Sequence, residues 1–168
     1  MARKPRVQYA DGTFHVWARR VERWALFVDD EDYQRYVALL AATVEECGWV
    51  LLSFCLMPNH IHLLLELREP NLDKGMKMLH EAYVRWYNAR RDRGGRLFEH
   101  RYGSKAVVDG LYFVTVLRYI ETNPVRAGLS DTPEEWPWSS RGIVAAGSCP
   151  PWLADDVARA RRELKDAT

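Results

Sequence analysis

Apolar positions along this chain change period several times, and the changes mark the elements. Residues 12–20, GTFHVWARR, mix β-branched and aromatic residues with polar ones, the pattern of a strand. The stretch DDEDYQRYVALLAATVEECGW then switches to helical spacing. Tyr36, Leu39, Leu40 and Val44 share a side, the acids occupy the N-cap and first turn where they suit the macrodipole, and Gly48 closes the helix. VLLSFCLM and HIHLLLEL are two short β-prone runs parted only by Pro58 and Asn59, which predicts an antiparallel hairpin. A second helix is expected over 71–93, with Met76, Leu79, Tyr83 and Trp86 at spacings of three and four and Gly94-Gly95 as its end. RLFEHRYGSKAVV reads as a loop entering a fourth strand. Asp109 is placed to cap a third helix, GLYFVTVLRYIET, which Pro124 is expected to terminate. The tail carries NPVRAGL, the aromatic turn WPWSS and a charged last helix, ARARRELKDA.

The order β-α-β-β-α-β-α predicts an α+β fold, a ferredoxin-like antiparallel sheet with helices packed on one face. With 168 residues the chain supports one well-buried core rather than two, so a single domain over 1–168 is expected, with 124–168 as a C-terminal extension packed on it.

Composition narrows the class without naming a function. A hydrophobic content of 48% and a charged content of 28% suit a soluble globular protein. The segment MARKPRVQYADG has no apolar core of a signal peptide, and the longest apolar run, WVLLSFCLM, falls far short of the roughly 20 residues that span a bilayer. Cys47, Cys55 and Cys149 are odd in number and irregularly spaced, which argues against a disulfide framework. A cytoplasmic protein is expected, with no membrane partner.

The formal net charge of +1 is uninformative, but its distribution is not. Arg85, Arg90, Arg91, Arg93, Arg96, Arg101 and Lys105 crowd a segment in which Asp92 and Glu99 are the only acids. That pattern predicts a locally basic surface. Arg85, Arg90, Arg91, Arg96, Arg101 and Lys105 are the candidate contacts to a nucleic-acid backbone. Trp86, Tyr87, Tyr102, Trp136 and Trp138 are candidate stacking surfaces for unpaired bases.

The candidate chemistry sits in MPNHIHLLLE, residues 57–66. Side chains alternate along a strand, so His60 and His62 project from one face and Ile61 and Leu63 from the other. Two imidazoles on one pleat suit a single metal ion. In RYIETNPVRAGL, Tyr119 and Asn123 lie four apart on one helical face beside the apolar stripe of Phe113, Val116, Leu117 and Ile120. The residue before a proline is biased toward extended backbone, which leaves the direction of Asn123 open. A structural zinc site recruiting Cys55 beside the histidines is one alternative. A small-phosphoester hydrolase using Glu66 is another.

In order along the chain, TFHVWARR, LMPNHIHLLLE, AYVRWYNARR, GGRLFEHRYGSK, RYIETNPVRAGL and WPWSS resemble the single-tyrosine HUH transposase superfamily, and within it the REP-associated tyrosine transposases. Each segment alone is weak; their order makes the resemblance specific. It implies the HUH endonuclease type of fold, with His60, His62 and Asn123 as ligands of a divalent metal ion, Mg2+ or Mn2+, and Tyr119 as nucleophile. Related insertion-sequence transposases carry glutamine where Asn123 stands, and either side chain supplies an amide oxygen. The implied activity is that of a DNA strand cleaving and rejoining enzyme acting on single-stranded DNA with hairpin structure through a 5′-phosphotyrosine. A monomer or a homodimer would serve, because relatives complete the site with a tyrosine from the same chain or from a partner. The alternative of a different class is a transposase-derived binder of hairpin DNA that no longer cuts.

Overall fold

A computed structural model of the chain describes residues 11–148 and 150–153. Arg3, Lys4, Arg6, Cys149 and the last helix expected over ARARRELKDA lie outside the described residues. Four strands, β1 (Gly12–Arg19), β2 (Val50–Met57), β3 (His60–Leu67) and β4 (Gly103–Val107), form one sheet in the order β2-β3-β1-β4. All three pairings are antiparallel. With α1 (Asp30–Cys47) between β1 and β2, and α2 (Leu72–Arg90) between β3 and β4, this is the ferredoxin-like arrangement.

Strand parity divides the sheet into two unlike surfaces. Phe14, Val16 and Ala18 of β1, with Ile61, Leu63 and Leu65 of β3, join the core under α1 and α2. The other face carries a smaller cluster, in which Leu64, Leu52, Cys55 and Met57 meet Phe113, Val116, Leu117 and Ile120 of α3 (Gly110–Arg126). Helices therefore cover both faces, not one. The reason is legible in α3, which is short of polar residues on its inner side and needs a sheet surface of its own.

Helix ends follow the expected chemistry with two differences. Asp29 accepts the Asp32 N–H at the start of α1, and Gly48 ends that helix at φ 63°. Asp109 caps α3 by accepting the Tyr112 N–H at 2.7 Å. Pro124 does not stop α3, which runs on to Arg126. Pro124 sits in the last turn and forfeits one ladder bond, while the C-terminus closes with Leu129 N–H on Pro124 O at 2.9 Å and Gly128 N–H on Val125 O at 3.0 Å. With Gly128 at φ 71°, this is a Schellman closure. Asn123 consequently stays helical. Likewise α2 ends at Arg90, ahead of Gly94-Gly95. Gly75 within α2 is required by packing: a Cβ there would stand 2.1 Å from Trp49 Cζ2.

Beyond α3 the chain returns along β2, the edge strand. Trp136 Nε1 donates to Leu56 O at 2.9 Å, Leu56 N–H donates to Trp138 O at 2.8 Å, and Phe54 N–H donates to Ser140 Oγ at 2.6 Å. Those bonds satisfy an edge that would otherwise be open to foreign strands.

Candidate functional site

The site lies on the α3 face of the sheet, at the hairpin end of β3. His60 and His62 project together from β3, their ring centroids 5.0 Å apart and nearly perpendicular. Tyr119 stands over them on α3, its ring meeting His62 edge-on at a centroid distance of 5.3 Å. One turn further on, the side chain of Asn123 comes close enough to act on His60. Thus the four residues singled out as catalytic or metal-binding come together within one chain. The i, i+4 spacing works because Pro124 leaves Asn123 helical.

Burial differs sharply across the quartet. His62 is 6% exposed and Asn123 9%, whereas Tyr119 is 39% exposed. Tyr119 is therefore the most accessible of these three side chains. His60 is half-buried, and its Nδ1 pairs with Asn59 Oδ1 at 2.6 Å. Burial, then the neighbouring His60, His15 and Arg19, push the His62 imidazole down to about 2. Burial and Arg19 hold His60 at about 4 against the opposing effect of Asn123. Both imidazoles are neutral at neutral pH, the state that ligation requires.

A residue that the sequence reading did not single out completes the arrangement. His15, on β1, places Nε2 3.0 Å from His62 Nδ1, with the two rings stacked at 5.2 Å. Burial and then Lys105 lower it to about 4. Its signal was the parity of TFHVW, where Phe14 and Val16 point to the large core and His15 to the other side. The register that sets His15 beside Leu64 and Trp17 beside His62 could not be read from the sequence.

His62 Nε2 is buried and has no hydrogen-bond partner among the described residues. An orphaned imidazole nitrogen next to a second histidine and a buried amide fits a divalent ion held by His60, His62 and Asn123. Among the described residues, no three His, Cys, Asp or Glu side chains gather to hold a metal. Cys55 lies across from His62 in register, but its Sγ contacts Met57 Sδ at 3.7 Å and burial raises its thiol. Among the described residues, neither Cys55 nor Glu66 joins the two histidines in a metal-holding group.

The basic residues divide into three groups. Lys105 is exposed on β4 with its Nζ 4.5 Å from the Tyr112 ring centroid, close enough to act on His15. Arg19 acts on both His60 and His62, and the guanidinium of Arg126 lies 5.4 Å from the Tyr119 centroid. These three cations ring the site. Arg85, Arg96 and Arg101 instead line a cleft of about 850 Å³ beside α2, on the opposite side of the sheet. Arg90 and Arg91 bind Asp29, Glu31 and Asp32 at the start of α1, with Arg91 Nη2 2.6 Å from Asp32 Oδ2. Ion pairing to α1 competes with any phosphate contact, so those two are removed from the candidate DNA surface.

The candidate stacking aromatics are likewise spoken for. Tyr87 and Tyr102 are buried in the large core, Trp86 packs against it, and Trp138 stacks on Tyr33 at 4.7 Å. Trp136 bonds the edge strand.

The family model described as "Transposase IS200 like" matches residues 8–123, and the chain belongs to that family. A relative from Haemophilus influenzae named "Putative REP-associated tyrosine transposase" is 27% identical over 112 residues, covering 58% of this chain and 62% of the relative's own length. The solved structure of a REP-associated tyrosine transposase bound to a REP hairpin superimposes with a TM-score of 0.73 at 19% identity, covering 94% of this chain and 93% of that one. That likeness establishes the shared fold. No helix among the described residues is long and apolar enough to cross a membrane.

Proposed function

We propose that this chain cleaves and rejoins single-stranded DNA beside a hairpin through a 5′-phosphotyrosine on Tyr119, with Mg2+ or Mn2+ held by His60, His62 and Asn123. One observation carries the reading: an accessible tyrosine on a helix edge stands against a buried, neutral histidine whose Nε2 has no partner among the described residues. Family membership supports it, and so does the hairpin bound by the structurally similar transposase.

Tyr119 oxygen attacks the scissile phosphorus in line, forming the tyrosine O–P bond as the P–O3′ bond breaks. Solvent, which reaches the exposed Tyr119, takes the phenolic proton and returns one to the departing O3′, which becomes a 3′-hydroxyl. Attack by another strand's 3′-hydroxyl reverses the exchange and releases Tyr119, so no nucleotide hydrolysis is needed. When bound, the divalent ion supplies Lewis-acid polarisation of a non-bridging phosphate oxygen. His62 serves that ion through Nε2 when its proton sits on Nδ1 and is donated to His15 Nε2. His60, with Nδ1–H donated to Asn59, likewise leaves its Nε2 lone pair free of that bond. Arg19, Lys105 and Arg126 hold the flanking phosphates by charge.

The test is incubation of labelled, hairpin-flanked single strands with Mn2+, followed by a denaturing gel. Wild type should give a covalent protein–DNA band. Tyr119→Phe should give none while binding the hairpin within about twofold of wild type, because only one oxygen is lost. Tyr112→Phe, on the same helix, should retain the band. Hairpin binding without a wild-type adduct would establish the non-cutting binder instead.

A further inference from the structure

We infer that Trp17 is a stacking subsite for one unpaired nucleobase next to the scissile phosphate, an inference that rests on the single-stranded DNA reading of the site. Trp17 is 37% exposed, an unusual state for an indole in the middle of a sheet. Its side chain emerges on the α3 face, where its register partners are His62 on β3 and Gly103 on β4. Its ring lies 5.0 Å from that of His15, which is itself bonded to His62. The indole is therefore separated from a candidate metal ligand by one imidazole.

Gly103 shows that the ring's position is built in. A Cβ at Gly103 would come within 2.1 Å of Trp17 Cε2 and 2.4 Å of Nε1, so the indole lies against the bare backbone of the edge strand. Any other residue at 103 would push it away. The indole is thus backed by Gly103 and flanked by the His15 ring, and the remainder of the residue is exposed. Charge on both flanks suits a nucleotide. Arg19 is two residues along the same face of β1, and Lys105 pairs with His15 in register on β4. A base on the indole would have phosphates within reach of these two exposed cations. The five aromatics expected to stack are packed into the core or along the β2 edge, whereas Trp17 is exposed on the face that carries the quartet.

Stacking of a base on an aromatic ring tolerates sequence, because every base has a π-face. The subsite would thus orient the strand for in-line attack rather than read its sequence. Its absence would be felt as lost affinity at one nucleotide position.

The experiment uses the full chain and a hairpin DNA with single-stranded flanks, chosen as a tight binder from a randomised library. Each flank nucleotide is replaced in turn by an abasic residue, and affinity is read by fluorescence anisotropy without metal. Wild type should lose about 5- to 150-fold at one position near the cleavage site. Trp17→Ala should bind the intact DNA more weakly by a similar factor and show no further loss from that abasic substitution. Trp17→Phe should keep part of the penalty, and Gly103→Ala, which leaves the indole but displaces it, should resemble Trp17→Ala. Equal abasic penalties with and without the indole, or intact-DNA affinity unchanged in Trp17→Ala, would overturn the subsite. Adducts are scored in parallel with Mn2+. A wild type that shows the coupling but forms no adduct removes the cleavage reading and keeps the subsite.

Discussion

The hydrogen bond between His15 and His62 decides which nitrogen of His62 is left for an ion. With His15 as acceptor, Nδ1 keeps the proton and the lone pair stays on Nε2, the nitrogen that has no partner among the described residues. Removing the acceptor should free both tautomers and the ring's rotation. His15→Ala is therefore expected to weaken Mn2+ binding by roughly 10- to 100-fold, and His15→Gln, which retains an acceptor oxygen, to recover much of it. Titration calorimetry with Mn2+ checks this without reference to cleavage, and equal affinities in all three proteins would refute it. His80 shows the opposite use of a buried imidazole. It bonds Arg101 O through Nδ1 and Tyr36 OH through Nε2, both at 3.1 Å, and stacks on Phe98. Burial lowers it from 6.5 to about 4, so between those values the unfolded chain binds more protons than the folded one. Its contribution is complete above pH 6.5 and is lost as the pH falls toward 4, by about 2 kcal/mol at pH 5. Urea melts at pH 7 and pH 5 should show a larger loss in wild type, to which His15, His60 and His62 add with the same sign, and His80→Gln should reduce that loss by about 2 kcal/mol. At this scale the sequence displayed the pair His60 and His62 openly, because strand parity is a local rule. His15 was hidden because its role depends on register.

Elements were legible wherever a local rule closed them. Asp29, Gly48 and Asp109 act at helix ends where their side chains or backbone freedom predict, and the Pro58-Asn59 turn joins β2 to β3. Pro124 misled because the proline rule concerns helix interiors, whereas here the lost bond falls in a last turn that Gly128 rescues. The helix-on-one-face expectation failed for a different reason: an amphipathic stripe says that α3 packs on a sheet but not on which side. The tail along β2 was least legible, since its contacts are backbone bonds between distant segments. Ser140 makes that docking testable. Its hydroxyl accepts the Phe54 N–H, so Ser140→Ala leaves a buried donor without its partner and should cost about 1–3 kcal/mol in stability. Amide exchange at Phe54 should accelerate in that variant. Unchanged exchange there would mean that the tail is not what protects the edge.

Over the whole molecule, a basic stretch of sequence becomes three surfaces with different physical roles, separated by the sheet face each occupies and by the ion pairs each makes. Lys105 shares the α3 face with the site, so it should contribute one phosphate contact. Arg91 is spent on Asp32, whose side chain is 0% exposed, and its guanidinium also lies 4.0 Å from the Tyr87 centroid. A buried carboxylate held this way is costly to strand, although Arg90 Nη1 keeps contact with its other oxygen at 3.0 Å. Arg91→Ala should thus lower unfolding stability by on the order of 3 kcal/mol while leaving the salt dependence of hairpin binding as in wild type. Lys105→Ala should do the reverse. Its melting curve should match wild type, and the slope of log affinity against log salt should shrink by about 0.7, the single-strand value for one lost phosphate contact. Measuring both variants by denaturant melts and by anisotropy over a salt series separates the two surfaces. A reduced salt slope in Arg91→Ala, measured where that variant is fully folded, would return the α1 side of the sheet to the DNA path.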